Sequence, residues 1–387
     1  MEIISRFFHA PKQNFFLLGP RGTGKSTWLN QHFDSAYFID LLSPDTFRAF
    51  SAKPERLIEV ADAAHEKATI VIDEVQKVPE ILDVVHLLIE RKKQLRFVLT
   101  GSSSRKLKRS GVDLLAGRAI IRTMHPFMAA ELGNLFTMEQ ALNMGMLPLV
   151  INSPDSEETL KSYVALYIRE EVQMEGLVRN IGAFSRFVES ITFSQGSVIN
   201  VSDIARDCQV ERKTVEGYVS VLEDLLLAFR VPVFKKRAKR NLSSHPKFYF
   251  FDCGVYRSLR PSGPLDSPNE IDGAALEGLV AQHILAWNGY GGHDCKLFFW
   301  RTKSGNEVDF VIYGKSTFCA IEVKNTRKVN SKMIRPLISF KQDYPEALVC
   351  LLYRGQERLM VNNVLCLPCE EFLRQLHPGK AVADFFA

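Results

Sequence analysis

The sequence predicts an α/β protein with several domains, and three observations support that fold class. First, 387 residues are too many for one ordinary core and suggest about two to three domains. Second, short apolar runs alternate with helical segments in the first third, a pattern typical of a buried parallel sheet. Third, an amphipathic helix with one apolar face, formed by Leu276, Leu279, Val280 and Ile284, is expected in the last third and precedes several strand-like runs. We therefore expect domains over residues 1–155, 156–262 and 263–387.

The composition is typical of a folded protein in aqueous surroundings. Hydrophobic residues make up 46% and charged residues 24% of the chain, which excludes a disordered or fibrous protein. The longest apolar runs fall short of the ~18 residues that a membrane span needs. The seven cysteines are odd in number and scattered, so they do not predict a disulfide framework. We interpret Cys366 and Cys369 as two buried small residues, and we expect a cytoplasmic protein without a membrane partner.

A glycine-rich loop stands between a predicted strand and a predicted helix near the N-terminus. Residues 14–33 read NFFLLGPRGTGKSTWLNQHF, and Gly19 to Ser26 fit the pattern G-x-x-x-x-G-K-[ST]. Backbone N–H groups of such a loop surround phosphates, and the following helix adds a favourable partial charge. Lys25 would reach the β- and γ-phosphates of ATP, and Ser26 would offer a hydroxyl to Mg²⁺. The predicted nucleotide contacts are Gly19, Pro20, Arg21, Gly22, Thr23, Gly24, Lys25, Ser26 and Thr27.

Two acidic residues follow the next apolar run, ATIVIDEVQKVPEI, at positions 73 and 74. A buried parallel strand delivers its last residues to the carboxyl edge of the sheet, where ligands bind. There Asp73 would hold Mg²⁺ through water, and Glu74 would orient or deprotonate the attacking water. This pair favours hydrolysis of the nucleotide over its storage. Thr100 and Ser102 end the following strand, where they would either sense the γ-phosphate or form an ordinary turn.

Arg118, in the segment DLLAGRAIIR, has two interpretations. An arginine that reaches the nucleotide of a neighbouring copy would be an arginine finger, which we favour and which requires a homo-oligomer. The alternative is a surface arginine.

The middle third contains a helix-turn-helix pattern. Ser202 is expected to cap a short helix, and a longer helix is expected from about Arg212. Two strand-like runs, FRVPVF and KFYFFD, then flank the basic segment KKRAKR, which predicts a winged-helix-like domain. Arg212, Lys213 and Thr214 would enter a DNA groove while the turn from Lys235 to Arg240 contacts phosphates.

This middle domain has an equally strong structural interpretation, as an adaptor that packs against other parts of the chain. The acids Asp203, Asp207, Glu211 and Glu216 lie near the helix entry and would weaken attraction to DNA. Two basic runs, residues 91–109 with eight Lys or Arg and residues 235–247 with six, contain no acid. Such runs are usually solvated faces, so each alone is weak support for nucleic acid.

A predicted hairpin near the C-terminus carries the second group of charged residues. The strand-like runs EVDFVIY and FCAIEVKN are joined by GKST. Glu322 and Lys324 point to one face because the side-chain period of a strand is two, and Asp309 can lie opposite them. Two carboxylates there would bind Mg²⁺, and Lys324 would position a water or stabilise a phosphate. Glu277 on the preceding helix would complete the site, with Glu307 as a substitute ligand.

Three segments together resemble a known family. GPRGTGKST, VIDEVQKVPE and VLTGSSSRKL with LLAGRA resemble the AAA-like P-loop ATPases of bacteria and archaea that are joined to a C-terminal domain of unknown function. That last domain resembles the PD-(D/E)xK nuclease superfamily, with EVDFVI and AIEVKN as the similar segments. The resemblance implies a restriction-endonuclease-like α/β domain. The superfamily has a proline before its first acid, where this chain has Val308.

The resemblance also implies roles for individual residues. It implies that Gly19, Gly24, Lys25 and Ser26 bind nucleotide and that Asp73 and Glu74 serve hydrolysis. It implies a metal-dependent phosphodiester site formed by Glu277, Asp309, Glu322 and Lys324.

Three functional hypotheses follow from the sequence. The first is a Mg²⁺-dependent ATPase coupled to a nuclease-like domain that acts on DNA. The second is an ATP-dependent molecular switch whose C-terminal domain binds DNA or protein without cutting it. The third is a DNA-binding regulator that works through the winged helix. If another part of the chain covers the charged face of the hairpin, the second hypothesis gains.

Overall fold

A computed structural model describes residues 4–91, 94–103, 114–167, 180–236 and 245–386. The chain divides into two compact units, Phe8–His125 with Val221–Leu227, and Met1–Phe7 with Pro126–Ser220 and Ala228–Ala387. The predicted domain boundaries stay predictions. Much of both basic runs, residues 92–93, 104–109 and 237–240, lies outside the described residues. Within the described ranges, no helix is both long and apolar enough to cross a membrane.

The first of these units is built on a five-stranded sheet in the order β2-β3-β4-β1-β5, in which every pairing is parallel. The strands β1 and β3 are apolar and buried because a parallel sheet is covered on both faces. The parallel sheet confirms the predicted α/β fold of this region. The strands are Phe15–Leu18 (β1), Tyr37–Asp40 (β2), Thr69–Asp73 (β3), Arg96–Gly101 (β4) and Ile120–Thr123 (β5). The helices are Lys25–His32 (α1), Pro44–Ala52 (α2), Arg56–Ala63 (α3) and Ile81–Arg91 (α4).

The parallel register determines which loops meet at one edge of this sheet. Strand β1 pairs with β4 and β5, and β4 pairs with β3 on its other side. The glycine loop after β1, Asp73 at the end of β3 and Gly101 at the end of β4 therefore share the carboxyl edge. Arg118 precedes β5, so it lies at the opposite edge.

After β5 the chain continues with short helices and a small antiparallel sheet in the order β6-β8-β7. The helices are Ala129–Leu132 (α5), Met138–Met144 (α6), Pro148–Ile151 (α7), Ser156–Ser162 (α8), Ile181–Ile191 (α9), Val201–Cys208 (α10), Arg212–Asp224 (α11) and Cys253–Leu259 (α12). The strands are Ser197–Val198 (β6), Ala228–Val231 (β7) and Lys247–Phe250 (β8). The predicted helix pair and the two strands are present, and the winged-helix assignment stays a prediction.

The prediction that Ser202 caps the short helix is wrong. Helix α10 begins at Val201, and Asn200 is its cap because the Asn200 side chain accepts a hydrogen bond from the N–H of Asp203 (3.3 Å). Asparagine and serine are similarly good caps, so residue preference alone does not distinguish Asn200 from Ser202.

The C-terminal part forms a mixed six-stranded sheet in the order β13-β14-β12-β11-β10-β9. The predicted hairpin is confirmed as β10 and β11, which pair antiparallel with Phe310 opposite Ile321. The strands are Lys296–Arg301 (β9), Glu307–Tyr313 (β10), Phe318–Lys324 (β11), Leu348–Tyr353 (β12), Leu359–Val361 (β13) and Val364–Pro368 (β14). The helices are Pro268–Gly291 (α13), Arg335–Asp343 (α14) and Cys369–Gln375 (α15). Cys366 and Cys369 are both buried free thiols, as expected.

Helix α13 is not the one-faced amphipathic helix that its sequence suggested. Seven consecutive residues, Gly278 to Ile284, are buried, and seven positions at 3.6 per turn go round the helix almost twice. The helix is therefore enclosed, and Glu277 at its centre faces protein instead of water.

A buried carboxylate fastens the start of helix α12. The Asp252 side chain accepts hydrogen bonds from the N–H groups of Gly254 (2.9 Å), Val255 (3.1 Å) and Met146 (2.7 Å). Burial raises the pKa of Asp252 to about 6, although these three hydrogen bonds act in the opposite direction. A Cβ atom at Gly145 would lie only 2.0 Å from Asp252 Oδ1. Glycine at 145 is thus required by the close approach of this carboxylate.

We expect Gly145→Ala to destabilise the protein more than Gly133→Ala does. Both glycines have left-handed backbones, with φ of 76° and 54°, but nothing lies within 4 Å of a Cβ at Gly133. In both variants the left-handed alanine costs about 1–2 kcal/mol of backbone strain. Only Gly145→Ala also displaces Asp252 from its N–H donors, which costs about 1–3 kcal/mol more. Urea denaturation of the two variants measures the difference. Equal free energies of unfolding would contradict this role of Asp252.

Candidate functional site

The glycine loop connects β1 to α1 and is folded onto its own lysine. Gly24 is the N-terminal cap of α1 with φ of 86°, a conformation that glycine adopts without strain. Lys25 Nζ donates hydrogen bonds to the carbonyl oxygens of Gly19 (2.7 Å) and Pro20 (3.1 Å). The Thr23 hydroxyl also donates to the Pro20 carbonyl (2.8 Å). For a phosphate to bind at this lysine, the ammonium would have to exchange these neutral acceptors for phosphate oxygens.

Asp73 accepts a hydroxyl hydrogen bond on each of its carboxylate oxygens. Ser26 Oγ donates to Oδ2 over 2.7 Å, and Thr100 Oγ1 donates to Oδ1. Thr100 Oγ1 also accepts a hydrogen bond from the N–H of Glu74 (3.0 Å). Hydroxyl and carboxylate oxygens are the ligands that Mg²⁺ prefers, so Ser26 and Asp73 fit this ion and would hold it. When bound, Mg²⁺ would neutralise negative charge on the phosphates.

Glu74 is buried and stands at a special backbone position between β3 and a short 3-10 helix, Val75–Lys77. Its φ of 60° and ψ of 46° lie in the left-handed region, which is uncommon for a residue with a side chain. The carboxylate accepts a hydrogen bond from Gln76 Nε2, and the Ser102 hydroxyl lies 3.5 Å from the same oxygen. The predicted residues Thr100 and Ser102 thus contact the two acids. Their sensing of a γ-phosphate stays a prediction.

The other residues predicted to contact the nucleotide differ in how exposed they are. Pro20 is buried, Arg21 is half-buried and Thr27 is exposed. The Arg118 guanidinium is partly exposed and forms an ion pair with Glu90. Because Arg118 is at the sheet edge opposite the glycine loop, it cannot complete the site of its own sheet. The arginine-finger role toward another copy stays a prediction.

The C-terminal hairpin brings its charged residues together. Asp309 Oδ2 accepts a hydrogen bond from the N–H of Val323 (2.9 Å), and the N–H of Asp309 donates to Glu322 Oε2 (3.3 Å). Lys324 Nζ lies 2.5 Å from Glu322 Oε1. Asp309 is 5% exposed and Glu322 is 3% exposed. The carboxylates are therefore satisfied by the hairpin itself and withdrawn from solvent.

A lysine from a different sheet enters this acidic group. Lys247, at the start of β8, places Nζ 3.0 Å from Glu277 Oε1, 2.6 Å from Glu307 Oε1 and 3.0 Å from Asp309 Oδ1. The Lys247 side chain is only 2% exposed. Tyr249, two residues along β8, donates its hydroxyl to Glu277 Oε1 (2.6 Å). We call Lys247, Glu277, Glu307 and Asp309 the lysine–carboxylate cluster.

Burial and charge compete within this cluster. Burial lowers the pKa of Lys247, but the surrounding groups, Glu277 foremost, raise it well above its ordinary value. Burial and the charge of Asp309 raise the pKa of Glu277 to about 7 and that of Glu322 to about 8. Burial also raises the pKa of Asp309, but the ammonium groups of Lys247 and Lys324 outweigh it and lower that pKa overall. Lys247 therefore stays charged and balances the acids around it.

The lysine–carboxylate cluster does not fit a metal ion in this arrangement. The ammonium of Lys247 occupies the point on which Glu277, Glu307 and Asp309 converge. Within the described ranges, no group of three or more His, Cys, Asp or Glu side chains is placed to hold a metal. The metal roles of Glu277, Asp309 and Glu322 stay predictions that this arrangement does not favour.

The residues predicted to contact DNA are only partly described. Arg212 and Lys213 are exposed at the start of α11 and Thr214 is half-buried. Lys236 lies over the ring of Tyr313, with Nζ 4.0 Å from its centre. The rest of the basic turn, 237–240, lies outside the described residues. DNA binding stays a prediction.

Three family models match consecutive parts of the chain. Residues 11–133 match an AAA domain, residues 135–266 match a domain of unknown function (DUF8612), and residues 272–372 match another domain of unknown function (DUF4143). The first match supports an AAA-like ATPase fold and, with it, the binding and hydrolysis of ATP. This confirms in part the resemblance that the glycine loop and the acidic pair carry. The nuclease resemblance of the last domain stays a prediction.

Several known proteins are similar to most of the chain. An uncharacterized protein of Mycobacterium tuberculosis is 24% identical over 369 residues, which cover 92% of this chain and 80% of the relative. An uncharacterized protein of Haemophilus influenzae is 21% identical, covering 88% of this chain and 90% of the relative. A solved structure of a Vibrio cholerae protein is 12% identical and covers 93% of this chain and 95% of its own, with a TM-score of 0.23. At that TM-score the likeness does not establish a shared fold.

We expect Lys247→Met to destabilise the protein by roughly 3–5 kcal/mol, because it leaves buried carboxylates without their cation. The matched control is Lys315→Met, at an exposed position in the turn between β10 and β11, which should change stability by no more than about 0.5 kcal/mol. Adding Asp309→Asn to Lys247→Met should restore part of the loss by removing one unpaired charge. Urea denaturation measures all three. If Lys247→Met is as stable as Lys315→Met, the cluster does not stabilise the fold.

Proposed function

We propose that the protein is an ATP-hydrolysing molecular switch whose C-terminal domain is a binding module for DNA or protein and does not cut its partner. The observation that carries this proposal is the position of Lys247 Nζ, within 3.0 Å of carboxylate oxygens from Glu277, Glu307 and Asp309. An ammonium at that point leaves these acids without an open position for a metal or a phosphate. A covered hairpin face is the feature that favours the switch over the nuclease.

The carboxyl edge of the parallel sheet supports the ATPase half of this proposal. Lys25 and the loop N–H groups would hold the phosphates, and Ser26 and Asp73 would hold Mg²⁺. Glu74 would take a proton from water as the water oxygen bonds to the γ-phosphorus. The bond between that phosphorus and the bridging oxygen then breaks, which releases ADP and phosphate.

Burial supports the non-catalytic role of the C-terminal domain. Asp309 and Glu322 are 5% and 3% exposed, so a phosphodiester in solution cannot reach their oxygens. Lys324 is engaged by Glu322 over 2.5 Å and is not free to position a water. Each group that the nuclease mechanism would need is thus held by another group of the protein.

A nuclease is the second candidate, and one observation favours it. The hairpin register brings Asp309, Glu322 and Lys324 to one place, as the nuclease signature requires. Activity would then depend on withdrawal of Lys247 from the cluster.

We expect Lys25→Ala to abolish ATP hydrolysis by removing the phosphate-binding ammonium. Glu74→Gln should keep nucleotide binding and lower turnover by roughly 10²–10⁴-fold, because it removes the base and little else. Lys12→Ala, at an exposed position outside the loop, is the control and should match the wild type. Phosphate release and equilibrium binding of a fluorescent ATP analogue are the measurements. Hydrolysis that persists in Lys25→Ala would refute the assignment of this site.

We expect no cleavage of plasmid or single-stranded DNA with Mg²⁺ or Mn²⁺, with or without ATP. The wild type, Lys25→Ala and Asp309→Ala/Lys324→Ala should behave alike, because the carboxylates are closed in the first two and the double variant lacks Asp309 and Lys324. Gel electrophoresis of the DNA over time is the measurement. Cleavage by the wild type that the double variant loses would establish the nuclease instead. Cleavage that needs ATP and is also lost in Lys25→Ala would show that nucleotide opens the site.

A further inference from the structure

We propose that Gln76 is a positioning residue for ATP hydrolysis, which fixes the carboxylate of Glu74 and connects it to Ser102. The inference rests on the proposed ATPase function and deepens it. Gln76 Nε2 donates one hydrogen bond to Glu74 Oε2 and another to Ser102 Oγ (2.9 Å). A single amide group thus joins the end of β3 to the end of β4 at the edge where nucleotide would bind.

The backbone around Glu74 brings Gln76 close to the Glu74 carboxylate. Glu74 has the left-handed φ of 60°, and the chain turns there into the short helix that carries Gln76. Glu74 and Gln76 are both buried, at 4% and 7% exposure. A neutral amide donor can hold a buried carboxylate in one orientation without neutralising its charge, whereas a lysine or arginine would pair with it and reduce its ability to accept a proton.

An ordinary packing role does not account for Gln76. Its Oε1 atom is buried and has no hydrogen-bond partner among the described residues. A buried acceptor without a partner destabilises the fold, and a methionine of similar size would avoid that cost. The amide is therefore present for its N–H groups, which meet Glu74 and Ser102.

The link to Ser102 couples the carboxylate to the bound nucleotide. Ser102 Oγ lies 3.5 Å from Glu74 Oε2 and accepts from Gln76. When the Ser102 hydroxyl turns to donate to a phosphate oxygen, Gln76 remains as the donor that holds Glu74. Gln76 thus keeps the base oriented while Ser102 contacts the nucleotide.

The chain offers a second way to disturb Gln76 without replacing it. A Cβ atom at Gly101 would lie 2.7 Å from Gln76 Oε1, while its next neighbours, Gln76 Cδ and Ser103 O, are 3.5 and 3.6 Å away. Gly101→Ala must therefore push the amide aside. Gly101 has no left-handed backbone, so alanine introduces no strain of its own.

The test compares Gln76→Met and Gly101→Ala with the wild type by phosphate release across a range of ATP concentrations. Gln76→Met keeps the volume and removes the donor, and we expect it to lower kcat by about 10- to 100-fold, because the base is no longer oriented. The KM for ATP should stay close to that of the wild type. Gly101→Ala should change kcat in the same direction.

Two results would overturn the inference alone. Wild-type kcat in Gln76→Met would show that the amide is not needed. A rise in KM that accounts for the whole loss would indicate a structural role only. Thermal unfolding of each variant identifies any that fail to fold. If Gln76→Met does not fold, the kcat of Gly101→Ala tests the inference in its place. If the wild type, like Lys25→Ala, shows no turnover, the proposed ATPase function and this inference are refuted together. If the wild type and Gln76→Met hydrolyse ATP equally fast, only the inference is refuted.

Discussion

The parallel pairing of β1 with β4 and of β4 with β3 is the constraint on which the nucleotide site depends. Parallel strands end at the same edge, so the loop after β1, the acids after β3 and the hydroxyls after β4 meet without any long-range signal in the sequence. Asp73 then accepts from Ser26 on one oxygen and from Thr100 on the other. The sheet positions three segments that are separated by dozens of residues, and each segment contributes only two or three polar groups.

Burial of charge governs the second cluster. Removing carboxylates and ammonium groups from water is costly, and their attraction repays the cost only when the geometry is close and complete. Lys247 meets this condition because its Nζ lies within 3.0 Å of three carboxylates. Lys324 forms an ion pair with Glu322. Such a cluster contributes little net stability compared with apolar packing, but removing one partner is strongly destabilising. It therefore defines one arrangement of β8 against the hairpin and α13.

Local sequence patterns predicted much of this structure. They did not predict the contacts between residues that are far apart in the sequence. The glycine loop, the acids after β3 and the hairpin from Glu307 to Lys324 are each continuous in sequence, so their periodicity and turn residues predicted them. Lys247 stands 30 residues from Glu277 and 62 from Asp309, and it belongs to a basic run of the kind that usually faces solvent. Gln76 is adjacent to the acidic pair, yet a lone glutamine has no pattern that distinguishes a buried donor from a surface residue. Helix α13 was expected to have one apolar face, because sequence reveals apolar positions but not what covers the polar ones.

The two charged sites differ in what a ligand must displace. At the glycine loop, Lys25 contacts neutral carbonyl oxygens and Asp73 contacts neutral hydroxyls, so phosphate and Mg²⁺ offer each of them a stronger, charged partner. At the lysine–carboxylate cluster a metal ion would have to displace an ammonium and leave Lys247 buried without an acid. Strand β8 is held between β6 and β7, with Val198 and Val231 opposite Lys247, so the backbone that carries this ammonium is fixed. Opening that cluster separates a buried ammonium from three carboxylates, whereas filling the proposed nucleotide site exchanges neutral hydrogen-bond partners for charged ones.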